Sequence, residues 1–212
     1  MSNFTDKFNQ LGVIPVVAIE DAQDAPILGA ALVAGGLPCA EITFRTAAAA
    51  ESIRLMTQEC PSVLVGAGTV LTVEQAQTAV DNGAQFIVTP GFDEVVVDWC
   101  LTNEVPIIPG VMTPTEINMA LTKGLHALKF FPAEAAGGIK TLKAIGGPYG
   151  DVKFIPTGGI SAANLQDYLS LPAVLACGGS WLVKKQLISA GKFETITQLT
   201  AEAVALVKEV RG

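Results

Sequence analysis

The chain has 212 residues, half of them hydrophobic and 16% charged, with a formal net charge of −7. That balance suits one larger domain, or two small ones, with a sizeable buried core. Only three arginines are present (Arg45, Arg54 and Arg211), so no basic stripe offers itself to nucleic acid.

Residues 1–7 lack the basic-then-apolar order of a signal peptide and read as a short polar helix. No later apolar stretch is long enough to cross a bilayer. Beyond residue 12 one rhythm repeats: a short apolar or β-branched run, a break of Gly, Pro, Thr or Ser, then a segment rich in Ala, Leu, Glu and Gln. The runs predict strands at 13–19, 40–44, 64–66, 86–88, 106–108, 127–130, 153–156 and 174–177. The segments between them predict helices at 25–34, 47–59, 73–82, 94–103, 114–123, 138–145 and 162–170. Thr72 and Thr113 read as caps, each with an amide or acid three residues on. Asn82-Gly83, Lys123-Gly124 and Ala34-Gly35-Gly36 read as helix stops. Eight strand–helix units of about 26 residues each predict an α/β fold, a (β/α)8 TIM barrel built as a single domain over 1–212. A doubly wound sheet of five or six strands would leave two or three runs unexplained. The four cysteines, Cys39, Cys60, Cys100 and Cys177, are widely spaced without a Cys-x-x-Cys pair, and they read as free thiols of a cytoplasmic protein.

In such a barrel, chemistry collects where strands end and helices begin. Lys129 stands in the strand-like run Ala127-Leu128-Lys129-Phe130-Phe131-Pro132. A lysine there either snorkels its charge to solvent or a carboxylate, or yields its proton to burial and becomes a nucleophilic amine able to form a Schiff base. Glu41, in Cys39-Ala40-Glu41-Ile42-Thr43-Phe44, is either a structural ion-pair partner or a proton shuttle beside that amine. Arg45, at the following corner, is a surface charge or a carboxylate clamp. Thr69, after Gly66-Ala67-Gly68, is a turn residue or a ligand contact. Thr157-Gly158-Gly159 and Gly178-Gly179-Ser180 end the seventh and eighth predicted strands, where barrels bind phosphate through backbone N–H groups. His126 precedes the lysine strand at its N-terminal end and receives no role. Trp99 and Trp181 read as packing residues, and Lys184 and Lys185 as charges in a solvated loop.

Taken together, Ala40-Glu41-Ile42-Thr43-Phe44-Arg45-Thr46, Gly66-Ala67-Gly68-Thr69, Val88-Thr89-Pro90-Gly91, Lys129-Phe130-Phe131-Pro132-Ala133-Glu134, Pro156-Thr157-Gly158-Gly159-Ile160 and Gly178-Gly179-Ser180-Trp181 resemble, in order, the signatures of one family. It is the family of 2-keto-3-deoxy-6-phosphogluconate (KDPG) and 4-hydroxy-2-oxoglutarate (KHG) aldolases, class I enzymes. The resemblance implies a (β/α)8 barrel, a homotrimer, no metal and no organic cofactor, and a phosphorylated 2-keto acid as substrate. It implies Lys129 as the Schiff-base lysine and Glu41 as the general acid and base. Arg45 and Thr69 would hold the pyruvate carboxylate, Pro90 and Phe131 would line the pocket, and Gly158, Gly159, Gly179 and Ser180 would bind phosphate. Thr157 falls where the family sets the stereochemistry of the new carbon, and the phosphogalactonate branch tends to carry an aliphatic residue there. Two other enzymatic readings keep the Schiff base: cleavage of 4-hydroxy-2-oxoglutarate, or decarboxylation of oxaloacetate. A further reading is a phosphate-ligand binding barrel without catalysis.

Overall fold

The computed structural model describes residues 2–212; Met1 lies outside the described residues, so the N-terminal helix reading is met from Ser2 onward. The chain runs α1 (Ser2–Leu11), β1 (Val13–Val17), α2 (Asp24–Ala34), β2 (Cys39–Thr43), α3 (Ala49–Glu59), β3 (Leu64–Gly68), α4 (Val73–Asp81), β4 (Ile87–Val88) and α5 (Glu94–Thr102). It continues β5 (Ile107–Ile108), β6 (Gly110–Val111), α6 (Pro114–Thr122), β7 (Ala127–Phe130), α7 (Gly138–Gly146), β8 (Lys153–Pro156), α8 (Leu165–Leu169), β9 (Cys177–Gly179), α9 (Lys185–Ser189) and α10 (Phe193–Arg211). Every residue of β1, β2 and β3 is buried, which is why these strands read as unbroken apolar runs rather than alternating ones.

The strands form a curled, all-parallel sheet with helices outside it. One hydrogen-bonded part has the order β5-β4-β3-β2-β1-β9 and the other the order β6-β7-β8. Isolated parallel bridges at Phe154–Val174 and Thr157–Gly178 link β8 to the last strand segment. The break between β5 and β6 has a covalent cause. Proline has no N–H to give a ladder, so Pro109, just past the predicted fifth strand, separates β5, paired with β4, from β6, a further short strand paired with β7. Its carbonyl still accepts from Lys129 N–H at 2.9 Å, so the chain runs on in register.

Both predicted threonine caps form. The Thr72 side chain accepts from Gln75 N–H, and Thr113 forms a reciprocal capping box with Glu116. The predicted helix at 162–170 shortens to α8 because Asn164 Oδ1 takes the Ser161 N–H and makes a turn there. The prediction stopped short of α9 and of α10, the 19-residue helix that packs on α2 and α8.

The interior has two apolar layers. One lies between the sheet and the helices. The other lies on the sheet's inner face, where Phe8, Ile14, Cys39, Leu64, Phe86 and Ile155 cluster at the N-terminal ends of the strands. Phe8 of α1 meets Phe86 edge to face at 5.2 Å between centroids, so α1 stoppers that end. Gly66 makes room for this ring: a Cβ there would stand 2.2 Å from Phe86 Cζ. Among the described residues no helix is long and apolar enough to cross a membrane.

Candidate active site

Lys129 sits on β7 between Gly110 of β6 and Ile155 of β8, and its side chain points to the inner face. Glu41 sits on β2 beside Gly66 of β3. The two side chains meet across the interior, with Nζ 3.3 Å from Oε1, and only 5% of Lys129 and 2% of Glu41 is exposed. Burying two charges costs desolvation that their attraction only partly returns, so stability alone does not explain such a pair. Gly68 is part of its design, because a Cβ there would lie 2.2 Å from Glu41 Oε1. The Phe131 ring centroid lies 5.3 Å from Lys129 Nζ and stacks against the ammonium. Cys39, on the Glu41 strand, stays a thiol: burial, then the Glu41 charge, hold it well above the usual range.

Above the pair opens a cavity of about 350 Å³ with Lys129 in its floor. Arg45, Thr69, Pro90 and Phe131 form one side of its wall, and Thr157, Gly158, Gly159 and Ser180 another. The predicted residues therefore converge, with two exceptions of position. Glu41 lies beneath the floor, reachable through Lys129. Gly179 lies behind the wall, where its missing Cβ leaves space for the Trp181 ring. Gly178 takes a wall position instead, together with Val16 and Ile160. Gly178 belongs to the glycine motif read as a phosphate site, without a separate role of its own, whereas Val16 and Ile160, aliphatic residues near strand ends, carry no distinguishing signal.

Local contacts aim the wall. Thr43 is buried, donates its hydroxyl to Val17 O at 2.7 Å and accepts from Arg45 Nε at 3.0 Å, so the exposed guanidinium has a fixed root. Thr69 holds φ +56°, a left-handed conformation that β-branched residues rarely adopt, so its backbone stores strain at the cavity wall. Thr89 donates to Gly91 O and accepts from Gly110 N–H, bracing the turn that carries Pro90. Gly158 and Gly159 have φ +99° and +82°, and they leave backbone rather than side chain as that part of the wall.

The residues given no chemical role lie elsewhere. His126 is exposed at the opposite end, in a groove with Phe4 and Phe8. Trp99 and Trp181 are half-buried against the core. Lys184 and Lys185 are exposed charges, but Lys185 starts α9 rather than lying in a loop and pairs with Glu20 at 2.6 Å.

Residues 4–199 match the family model for KDPG and KHG aldolases. This chain belongs to that family. It is 51% identical to the 2-dehydro-3-deoxy-phosphogluconate aldolase of Treponema pallidum over 98% of this chain and 99% of that one. It is 45% identical to the KHG/KDPG aldolase of Escherichia coli over 91% of this chain and 90% of that one. Among solved structures, the KDPG aldolase of Legionella pneumophila, crystallised with pyruvate captured as a covalent carbinolamine, superposes with a TM-score of 0.91. That protein is 41% identical, with 94% of this chain and 97% of that chain covered. In this KDPG/KHG aldolase family member, the buried amine, its carboxylate and the glycine-walled cavity occupy one end of the sheet.

Proposed function

We propose that this chain is a class I aldolase that cleaves 2-dehydro-3-deoxy-6-phosphogluconate to pyruvate and glyceraldehyde 3-phosphate. The observation that carries the reading is the buried Lys129–Glu41 pair at the floor of the cavity. The names of the curated relatives, KDPG aldolase and KHG/KDPG aldolase, support the substrate class.

In this mechanism the Lys129 amine attacks the C2 ketone, and loss of water leaves a protonated imine. Glu41 takes the C4 hydroxyl proton through a water. The C3–C4 bond breaks with its electron pair flowing into the iminium, and glyceraldehyde 3-phosphate leaves. Glu41 returns the proton to C3 of the pyruvate enamine, and hydrolysis frees pyruvate and lysine. Arg45 and Thr69 hold the carboxylate, Pro90 and Phe131 keep the imine enclosed, and Thr157 sets the face of the bond. Gly158, Gly159, Gly179 and Ser180 seat the phosphate, a role in which Gly179 would serve by its backbone.

The two hydrogen-bonded parts of the sheet form, on this reading, one closed (β/α)8 barrel over a single domain of residues 1–212. Pro109 interrupts its ladder between β5 and β6, and the two isolated bridges join β8 to the last strand. The working form is a cytoplasmic homotrimer. Exposed Leu71, Val95, Met112 and Met119 support it, falling in three consecutive strand–helix units; sedimentation at trimer mass tests it, and a monomer overturns it.

The test of the activity is a cleavage assay with purified chain and phosphorylated substrate. Equimolar pyruvate and glyceraldehyde 3-phosphate are expected, and no cleavage overturns the reading. A second activity, on 4-hydroxy-2-oxoglutarate, is favoured by the Escherichia coli relative named for both substrates.

A further inference from the structure

Two parts of the cavity wall come from different strands: the loop after Lys129 and the Gly158-Gly159 turn. Backbone bonds clip them together, with Ala133 N–H donating to Thr157 O at 2.8 Å and Glu134 N–H to Gly158 O at 3.0 Å. The stem of Glu134 then fills the space under the turn, since a Cβ on Gly159 would stand 2.6 Å from both Glu134 Cβ and Cγ. Its carboxylate accepts a hydrogen bond from the hydroxyl of Tyr168, a residue of α8 with no exposed surface. Gly138 is shaped around that bond. It holds φ +60°, and a Cβ there would lie 2.9 Å from Glu134 Oε1 and 3.2 Å from the Tyr168 hydroxyl oxygen. Burial, then the Glu134 carboxylate, raise the Tyr168 hydroxyl above its ordinary range, so it stays a donor at neutral pH. Asn164 holds the turn from its other side, donating to Gly159 O at 3.1 Å and accepting from Ser161 N–H at 2.8 Å.

We propose that Glu134 and Tyr168 are positioning residues for the phosphate end of the substrate. Tyr168 turns the Glu134 carboxylate under the loop and out of the cavity. Glu134 in turn holds the Gly158-Gly159 turn in register with the Lys129 strand, so that the ketone and the phosphate are gripped at a fixed separation. Released from Tyr168, the carboxylate becomes a like charge beside an anionic group, which disfavours binding. The inference rests on the phosphate seat proposed above.

The test compares kcat and KM for 2-dehydro-3-deoxy-6-phosphogluconate and for 4-hydroxy-2-oxoglutarate, with Tm as a fold control. Tyr168→Phe is expected to raise KM for the phosphorylated substrate about tenfold, the scale of one lost hydrogen bond to a charged group. Both constants for the non-phosphorylated substrate should hold. Glu134→Gln, which keeps the stem but accepts the Tyr168 hydroxyl with a neutral amide, is expected to raise KM for the phosphorylated substrate by no more than about threefold. In the Tyr168→Phe background it should recover KM to within about threefold, because the freed group no longer repels phosphate. A packing role alone predicts no such rescue. If Tyr168→Phe unfolds, Glu134→Ala carries the test with the same KM rise expected. Equal losses on both substrates, or no rescue, overturn the proposal. Wild-type protein that fails to cleave the phosphorylated substrate overturns instead the function itself, and shows this before any variant is made.

Discussion

The inner face of the sheet has two halves of opposite character. Toward the strands' N-terminal ends, Phe8, Ile14, Leu64, Phe86 and Ile155 pack without a polar group among them. Toward the C-terminal ends, two residues beyond Ala127, Cys39 and Ile155 of the same apolar layer, stand Lys129, Glu41 and Thr157, buried but opening on a cavity. The difference teaches where each kind of energy is used. The apolar half holds the strands at fixed spacing through area removed from water. The polar half then tolerates a desolvated ion pair that adds little to stability and that, in the proposed mechanism, supplies the nucleophile.

Substitutions can pull the halves apart. The largest expected effect is Lys129→Met, which should lower kcat/KM by about 10⁴-fold or more while thermal unfolding stays cooperative; retained cleavage would contradict the role. Next comes Glu41→Gln, with a loss of about 10²–10⁴-fold, the range for a displaced acid–base group, and with the lysine still able to form its adduct. Gly68→Ala should move in the same direction by about 10²-fold, since its methyl displaces Glu41.

The apolar half should respond in reverse. Phe86→Ala is expected to cost about 3–5 kcal/mol of stability, measured by denaturant melts, while adduct formation with pyruvate below the new Tm is kept. Ser180→Ala should raise KM for the phosphorylated substrate about tenfold, and stability should stay within about 0.5 kcal/mol, as expected for an exposed residue. The smallest effect is chemical. Burial pushes the Cys100 and Cys177 thiols up to about 12, so both are protonated at pH 8. A thiol reagent should label half-buried Cys60 first and leave activity unchanged; early labelling of Cys177 would show the layer between sheet and helices to be open.

Much of this was legible in the residues. The strand-and-break rhythm marks the parallel sheet, and the polar residues at strand ends mark the cavity, because burial and chirality leave only one end for them. What was illegible depended on contacts between distant positions. Gly66 read as the end of the third strand and Gly68 as a glycine beside Thr69, yet their role is to admit Phe86 and Glu41 from neighbouring strands. Thr43 reads as a β-former, and its grip on Arg45 appears only when β1 lies alongside. Glu134 and Tyr168 stand 34 residues apart, with no local pattern joining them. Pro109 read as the end of the fifth strand at 106–108, and the pairing of Gly110 and Val111 with β7 beyond it appears only in the fold. The final helix is amphipathic but follows no strand, so the strand–helix rhythm did not call for it.

The central claim is that Lys129 becomes an imine. Incubation with pyruvate, reduction with borohydride and peptide mapping test it most directly. The account predicts one added pyruvate-derived mass, on the peptide containing Lys129, and none in Lys129→Met. No adduct, or an adduct on another lysine of the folded chain, would contradict it.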